Sequence, residues 1–187
     1  MADLRGGGTV GAEARPRIRP LTLDDAAELL DVRVRNRAFL EPWEPLRDEL
    51  FYTLPGQEVN VAAAVREREE GRGYPFAIAL EGRIVGAVNL NGIVHGVFRN
   101  AYLGYWVDEA VGGRGVATEA VRQTVTFAFG EGGLHRVQAA VMPRNAASLR
   151  VLEKAGFREE GLALRYLRIA GAWEDHRLYA VTKEEWL

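Results

Sequence analysis

Cysteine is absent from this chain of 187 residues. Without a thiol the protein cannot form disulfide bonds, hold a metal ion through thiolates or use a cysteine nucleophile. Histidine is scarce as well, because His95, His135 and His176 are the only three, and they lie far apart without the spacing of metal ligands. We therefore predict no metal site and treat the three histidines as ordinary polar residues.

The chain also lacks a strong charge bias and a long apolar run. Its 24 lysines and arginines and 26 aspartates and glutamates give a formal net charge of -2. A surface that binds nucleic acid needs a clustered excess of positive charge, so no nucleic-acid partner is predicted. No apolar run approaches the length of a membrane span, and the N-terminus lacks the hydrophobic centre of a secretory signal. We expect a cytoplasmic protein without a membrane partner.

What the chain does contain is the composition of one ordinary globular domain. Hydrophobic residues make up 48% and charged residues 27% of the sequence, which suffices for a full core. Residues 1–16 include three consecutive glycines and little apolar content, which is typical of a flexible leader. We predict a leader over residues 1–16 and a single domain over residues 17–187.

Residues 101–127 form the most informative stretch. A charge-free run at 101–107 predicts a buried strand, residues 108–114 contain two glycines, and helical spacing of apolar residues begins near Gly115. A helix that starts after a glycine turn offers free N–H groups and a positive dipole end to an anion. This stretch alone leaves two interpretations equally open, a phosphate site and a plain strand-to-helix turn. A P-loop lysine is missing, and Thr118 replaces the third glycine of a dinucleotide-binding turn.

The rest of the chain alternates strands and helices. An irregular segment at 36–55 contains three prolines and four aromatic residues, and Glu41, Trp43 and Glu44 would place carboxylates beside an aromatic face there, as suits a cationic amine. A hydrophobic clamp over the sheet edge is the alternative. The pattern predicts an α+β or mixed α/β layer architecture. Its other predicted strands are 17–21, 74–80, 83–90, 135–142, 162–169 and 173–181, and its other helices are 24–35, with Val34 in the core, 57–70 and 145–156.

The segment PRNAASLRVLEKAGF is the second informative stretch. Asn145 can cap a helix that ends at Gly156. Ser148 lies three residues after Asn145, so the two side chains share a helix face.

These motifs resemble the GCN5-related N-acetyltransferases (GNAT). VGGRGVATEA is similar to the family's acetyl-CoA pyrophosphate loop, usually Gln or Arg, two residues, Gly, any residue, then Gly or Ala. Gly112 departs from the expected Gln or Arg, which removes a side-chain contact but leaves the backbone cradle. PRNAAS, EKAGF, GAWEDHRLYA and NRAFLEPWEP resemble the RimJ/RimL branch, whose members acetylate ribosomal-protein N-termini.

The resemblance implies a fold and a co-substrate. It implies the GNAT fold, a mostly antiparallel mixed sheet flanked by helices, in which strands 101–107 and 135–142 form a splayed parallel pair that leaves a wedge for acetyl-CoA. Asn145 would contact the pantetheine arm, and Ser148 would hydrogen-bond the departing sulfur. Backbone groups near Trp106 and Val107 would hold the arm and polarise the thioester carbonyl. The residues of the implied pyrophosphate loop are Gly112, Gly113, Arg114, Gly115, Val116, Ala117 and Thr118.

The acceptor and the general base are less determined. The resemblance implies transfer to a protein N-terminal amine, foremost an alanine of a ribosomal protein, by direct attack in a ternary complex. A small-molecule amine and a non-catalytic acetyl-CoA sensor are the alternatives, and the width of the groove between residues 36–55 and 167–173 discriminates between a peptide and a small acceptor. Either a monomer or a homodimer is compatible. Glu41, Glu44, Asp175 or a water chain could serve as base. The expected acceptor residues are Glu41, Trp43, Glu44, Tyr166, Trp173 and Asp175.

Overall fold

The computed structural model describes residues 15–186. Most of the predicted leader, residues 1–14, therefore lies outside the described residues. Pro16 is buried, and its carbonyl accepts a hydrogen bond from the Gln123 side chain at 2.9 Å. Pro16 therefore packs beside the helix that carries Gln123.

Seven strands and five α-helices make up the described region. The strands are β1 (Arg17–Pro20), β2 (Tyr74–Leu80), β3 (Arg83–Val94), β4 (Asn100–Val107), β5 (Arg136–Val141), β6 (Arg158–Ile169) and β7 (Ala172–Thr182). The helices are α1 (Ala26–Arg35), α2 (Arg37–Leu40), α3 (Leu54–Glu69), α4 (Val116–Phe129) and α5 (Ala146–Lys154). Short 3-10 turns are Leu23–Asp25, Glu41–Trp43, Glu49–Tyr52, Glu109–Val111 and Lys183–Glu185. Within residues 15–186, none of the helices has the length and hydrophobicity that a bilayer-spanning segment requires.

The strands form one sheet in the order β1-β2-β3-β4-β5-β7-β6. Every neighbouring pair is antiparallel except β4 and β5, which are parallel. Their pairing covers only three positions and ends at Tyr102 and Gln138. Beyond that point the strands separate, so the predicted mixed sheet with a splayed parallel pair is confirmed.

Helices cover both faces of the sheet. On one face α4 and α5 pack over the larger core, to which Leu103 and Tyr105 of β4 contribute. On the other face α1 and α3 pack over a smaller core, which Trp106 joins. Successive side chains of a strand point to opposite faces. The parity of residues along β4 therefore decides on which side of the sheet each side chain lies.

The turn between β2 and β3 has the tight hairpin conformation that its Glu81-Gly82 sequence predicts. Glu81 and Gly82 both have positive φ, 52° and 78°, as a type I′ turn requires. The helix predicted from residue 57 instead begins at Leu54, because the Thr53 side chain caps it by accepting from the Gly56 amide.

Three further details of the predicted elements were wrong. The strand predicted at 83–90 continues to Val94. Val34 does not face the core: it is 51% exposed, and Val32 of the same helix is buried instead. The strand predicted at 162–169 begins earlier, at Arg158. Irregularities between Glu159 and Gly161 and between Ala163 and Leu167 interrupt its pairing and break the alternation that marks a strand in sequence.

Candidate active site

The separation of β4 from β5 opens a cavity of about 320 Å³. Residues of α5 line it on one side of the sheet, and the segment that follows α1 lines it on the other. The cavity therefore connects the two faces of the sheet through the gap between the strands. Its lining residues include Phe39, Leu40, Trp43, Glu44, Tyr105, Trp106, Val107, Ala117, Met142, Asn145, Ala147, Ser148 and His176.

One edge of β4 is open along this gap. The Asp108 amide donates to the Val85 carbonyl at 2.7 Å, and the Trp106 carbonyl lies against Gly86, so both groups point towards β3. Because consecutive residues point their backbone groups in opposite directions within the sheet, those of Tyr105 and Val107 face the cavity. An extended ligand could pair with them as an added strand. Of the two backbone positions predicted from the sequence, Val107 faces the gap and Trp106 faces its neighbour strand.

The glycine turn ends at the N-terminus of α4. Gly113 and Gly115 have φ of 74° and 79°, and a Cβ at either position would meet no atom within 4 Å. Gly115 is the N-cap, and no side-chain hydrogen bond caps the helix within the described residues. The first amides of α4 are thus uncovered at the positive end of its dipole. This arrangement can bind an anion.

The other residues of the predicted pyrophosphate loop occupy different environments. Ala117 lines the cavity. Val116 is buried in the larger core, so only its backbone is available to a ligand. Gly112 and Arg114 are exposed, and Thr118 is half-buried on the first turn of α4.

Asn145 and Ser148 are brought together at the start of α5. The Asn145 side chain accepts a hydrogen bond from the Ser148 amide at 3.1 Å, which confirms the predicted N-cap. Its amide nitrogen remains available to a ligand, since the cap uses only the carbonyl oxygen. Both residues line the cavity.

Tyr105 is a site residue that sequence reasoning missed. Its hydroxyl oxygen lies 2.7 Å from the Ser148 hydroxyl oxygen and 3.2 Å from the Ser148 carbonyl. Burial raises the pKa of Tyr105, so the phenol stays protonated and can donate. The two-residue period of a strand could have indicated that Tyr105 points inward, because it places Tyr105 on the same face as the core residue Leu103.

Two of the predicted acceptor residues line the cavity, Trp43 and Glu44. Glu44 forms an ion pair with Arg33, whose guanidinium also stacks over the Trp106 ring at 3.9 Å. Burial lowers the pKa of Arg33, and the Glu44 charge opposes that shift. The Glu44 carboxylate thus already has a cationic partner. Glu41 is exposed and is not a lining residue.

Three other predicted acceptor residues lie on the β6–β7 hairpin outside the cavity lining. Trp173 is 63% exposed. Asp175 accepts a hydrogen bond from the Arg165 amide at 2.8 Å, which supports the irregular backbone of Arg165 at φ 49°. Tyr166 packs against the lining residue His176, with 5.8 Å between ring centres.

The two rims of the predicted acceptor groove touch. The Ala170 amide, in the turn between β6 and β7, donates to the Glu44 carbonyl at 2.9 Å. Beside this bond, Leu46 lies close to Gly171. An acceptor must therefore enter beside this bridge, or the bridge must open.

A buried polar cluster connects α1 to the glycine turn. Asp108, only 5% exposed, accepts hydrogen bonds from Arg35, Asn36 and the Ala110 amide. Burial alone would raise the pKa of Asp108, but these three donors together hold it below its usual value. No local sequence pattern predicts this long-range pairing. Among residues 15–186 no group of three histidine, aspartate or glutamate side chains is arranged to hold a metal ion.

A protein-family model described as an acetyltransferase (GNAT) domain matches residues 15–158. Probable N-acetyltransferase YjcK of Bacillus subtilis (strain 168) is 43% identical over 166 residues, which cover 88% of this chain and 92% of that protein. The ribosomal protein uS5-alanine N-acetyltransferase of Escherichia coli (strain K12) is 35% identical over 164 residues, or 87% of this chain and 84% of that protein.

A solved structure gives the same assignment. Mycobacterium smegmatis RimJ in complex with CoA-disulfide superposes with a TM-score of 0.89 at 37% identity, covering 93% of this chain and 87% of that one. The sheet order, the parallel β4–β5 pair and the glycine turn described above are thus set in a fold shared with named acetyltransferases. The chain belongs to the GNAT acetyltransferase family, in its RimJ/RimL branch.

Proposed function

We propose that this protein transfers the acetyl group of acetyl-CoA directly to the α-amine of a protein N-terminus, foremost an N-terminal alanine of a ribosomal protein. One observation carries the proposal: the gap between β4 and β5 joins an uncovered helix N-terminus to a paired Tyr105 and Ser148. The relatives named RimJ and uS5-alanine N-acetyltransferase support the same activity.

The residues present fit acetyl-CoA. The open space over Gly113 and Gly115 leaves room for phosphate oxygens at the amides of α4. The amides and carbonyls of Tyr105 and Val107 face the gap, where they suit the amide groups of a pantetheine arm. Asn145 keeps a free side-chain nitrogen at the same gap.

Acetyl-CoA supplies an acetyl group activated as a thioester. The chain's residues position the reactants and stabilise the negative charge that develops during transfer. The Val107 amide is placed to donate to an oxygen that gains negative charge at the reacting carbon. The Ser148 hydroxyl is placed to donate to the departing sulfur. A thiol has a reference pKa of about 8.5, so a hydrogen bond can stabilise the thiolate without delivering a proton. The absence of cysteine favours direct transfer.

The preference for an N-terminal α-amine has a chemical reason. An α-amine has a reference pKa of about 7.7–8.0 and a lysine of about 10.4, so near neutrality far more of the α-amine is nucleophilic. Phe39, Leu40 and Trp43 line the cavity on the side proposed for the acceptor. Such apolar walls favour a small first residue such as alanine.

A small-molecule amine is the second candidate. The hydrogen bond between the Ala170 amide and the Glu44 carbonyl joins the rims of the groove, which favours a compact acceptor over a long peptide. A peptide needs only its first residues inside the cavity, so both acceptors remain compatible with this geometry.

The test is a mixed library of N-terminal peptides and small amines, incubated with the protein and acetyl-CoA and analysed by mass spectrometry. Coenzyme A release is followed in parallel. The proposal predicts acetylation of peptide α-amines, Ala-initiated ones foremost. Acetylation of small amines alone would move the assignment to the second candidate, and tight acetyl-CoA binding without any transfer would favour a sensor.

A further inference from the structure

His176 is a buried histidine inside the cavity. It is 3% exposed, yet it lines the same gap as Ser148 and Trp43. It belongs to β7, the strand hydrogen-bonded to β5 beyond the gap. The proposed function, as stated above, assigns it no role.

The hydrogen bond at one ring nitrogen fixes the tautomer of His176. Nδ1 lies 2.9 Å from the Glu174 carbonyl oxygen. A carbonyl can only accept, so Nδ1 must carry the proton, and neutral His176 then presents a lone pair at Nε2. Among the hydrogen bonds of residues 15–186, the His176 ring takes part through Nδ1 and not through Nε2. The ring therefore offers a basic nitrogen without a partner in a cavity.

Strand parity places His176 across the sheet from Ser148. Tyr179 and Val181 of β7 pack in the core beneath α4 and α5. His176 is three residues before Tyr179, so its side chain points to the other face. Ser148 lies on α5, on the first face. The two residues thus flank the gap from opposite sides of the sheet, Ser148 on the side of the proposed leaving sulfur and His176 on the side to which the Trp106 ring belongs.

Several charged and titratable groups lie on the elements that surround His176. From β6, Tyr166 packs on the ring at 5.8 Å. From the segment after α1, Glu44 is ion-paired with Arg33. On β7 itself, Glu174 is ion-paired with Arg144. Glu44 and Glu174 thus each hold an arginine, and the Asp175 carboxylate accepts from the Arg165 amide.

We infer that His176 is the base that accepts the proton of the acceptor amine, an inference that rests on the proposed function. An ammonium acceptor loses two protons on acetylation. The first passes to Nε2, which frees the lone pair that forms the N–C bond. The second leaves with the sulfur, which takes the electron pair of the broken C–S bond.

The test compares two asparagine variants. His176→Asn retains an N–H near the position of Nδ1, and hence the bond to the Glu174 carbonyl, but removes the Nε2 lone pair. His135→Asn is the control, because His135 is a partly exposed residue paired with Glu184 outside the cavity lining. Acetyl-CoA affinity and kcat/KM for the acceptor amine are measured for both variants between neutral and alkaline pH.

General base catalysis contributes on the order of 100-fold or more, so His176→Asn should lower kcat/KM by roughly that factor near pH 7. The loss should shrink to roughly tenfold near pH 9.5, because the free fraction of an α-amine with a reference pKa of about 7.7–8.0 rises about tenfold between pH 7 and that pH. Affinity for acetyl-CoA and the activity of His135→Asn should not change.

Two results would overturn the inference. A loss in His176→Asn that is the same at every pH would indicate a structural role, and unchanged kcat/KM would indicate none. In both cases, acetylation of an amine by the wild-type protein would still support the proposed function. If the wild-type protein acetylated no amine at all, the proposed function and the role of His176 would fall together.

Discussion

The hydroxyl oxygens of Tyr105 and Ser148 lie 2.7 Å apart where β4 and β5 separate. Ser148 is the only serine of the chain, and its hydroxyl would otherwise rotate freely. Either hydroxyl can be the donor of this pair; when the protonated phenol of Tyr105 donates, the Ser148 hydroxyl can turn its own hydrogen into the cavity. This pairing makes Ser148 a directed donor to a leaving group.

Replacement of Ser148 by alanine should lower kcat by more than tenfold, because a positioned hydrogen bond to developing charge contributes at least that factor. The Kd for acetyl-CoA should change little, since the cavity loses one oxygen atom. Steady-state kinetics and calorimetric titration with acetyl-CoA measure the two quantities. An unchanged kcat would remove Ser148 from the reaction.

Replacement of Gly115 by alanine should raise the Kd for acetyl-CoA at least tenfold. Gly115 has φ of 79°, and a methyl group there would occupy the open space over the α4 amides. The left-handed backbone also costs a non-glycine residue about 1–2 kcal/mol.

Gly82→Ala is the matched control for that strain. Gly82 has φ of 78° with no atom within 4 Å of a Cβ, and it lies in the β2–β3 turn. Both variants should lose similar thermal stability, and Gly82→Ala should bind acetyl-CoA as the wild type does. Equal affinities in the two variants would contradict the proposed phosphate cradle.

Replacement of Asp108 by asparagine should destabilise the protein at neutral pH. The pKa of Asp108 is held below its usual value by donors that outweigh the effect of burial. Its stabilisation is therefore complete above the unfolded-state pKa of about 3.9 and is lost as the pH falls through the folded-state value.

Urea unfolding across pH measures this effect. The difference between wild type and Asp108→Asn should be largest near neutrality and should fade as the pH drops below about 4. Glu131→Gln, at an exposed position, serves as the control and should show no such dependence. A difference that persists unchanged in acid would show that the carboxylate charge is not responsible.

Replacement of Trp43 by alanine should raise the KM for the acceptor by roughly fivefold to tenfold, in line with the contact energy of one aromatic side chain. The Kd for acetyl-CoA should stay constant. Trp173→Ala is the matched control, because Trp173 is 63% exposed and outside the cavity lining. If Trp173→Ala raised the KM and Trp43→Ala did not, the acceptor would bind along the β6–β7 hairpin instead.

The sequence predicted the elements that local patterns encode. The glycine turn before Gly115, the Glu81-Gly82 hairpin and the Asn145 cap each depend on a few adjacent residues, and each is present. The strand at 162–169 was predicted too short because its irregular pairing near Gly161 and Arg165 breaks the two-residue period. The helical period predicts Val34 in the core because it lies four residues after Leu30, whereas the buried stripe of α1 runs through Ala26, Leu29 and Val32.

The site depended on contacts that no local pattern reveals. The sequence predicts Glu44 as a partner for an amine, but in the fold its carboxylate binds Arg33. Asp108 binds Arg35, which lies 73 residues away along the chain. His176 shows no metal-ligand spacing with the other histidines, so spacing along the sequence does not single it out. Its place in GAWEDHRLYA, two residues from Glu174 and opposite in parity to Tyr179, was the available signal.

The most direct test of the proposed activity uses one peptide that begins with a free alanine and contains an internal lysine. After incubation with the protein and acetyl-CoA, fragmentation mass spectrometry locates any acetyl group. The proposed function predicts one acetyl group on the α-amine, none on the lysine, and loss of the product in Ser148→Ala. Acetylation of the lysine alone, or an unmodified peptide beside an acetylated small amine, would contradict it.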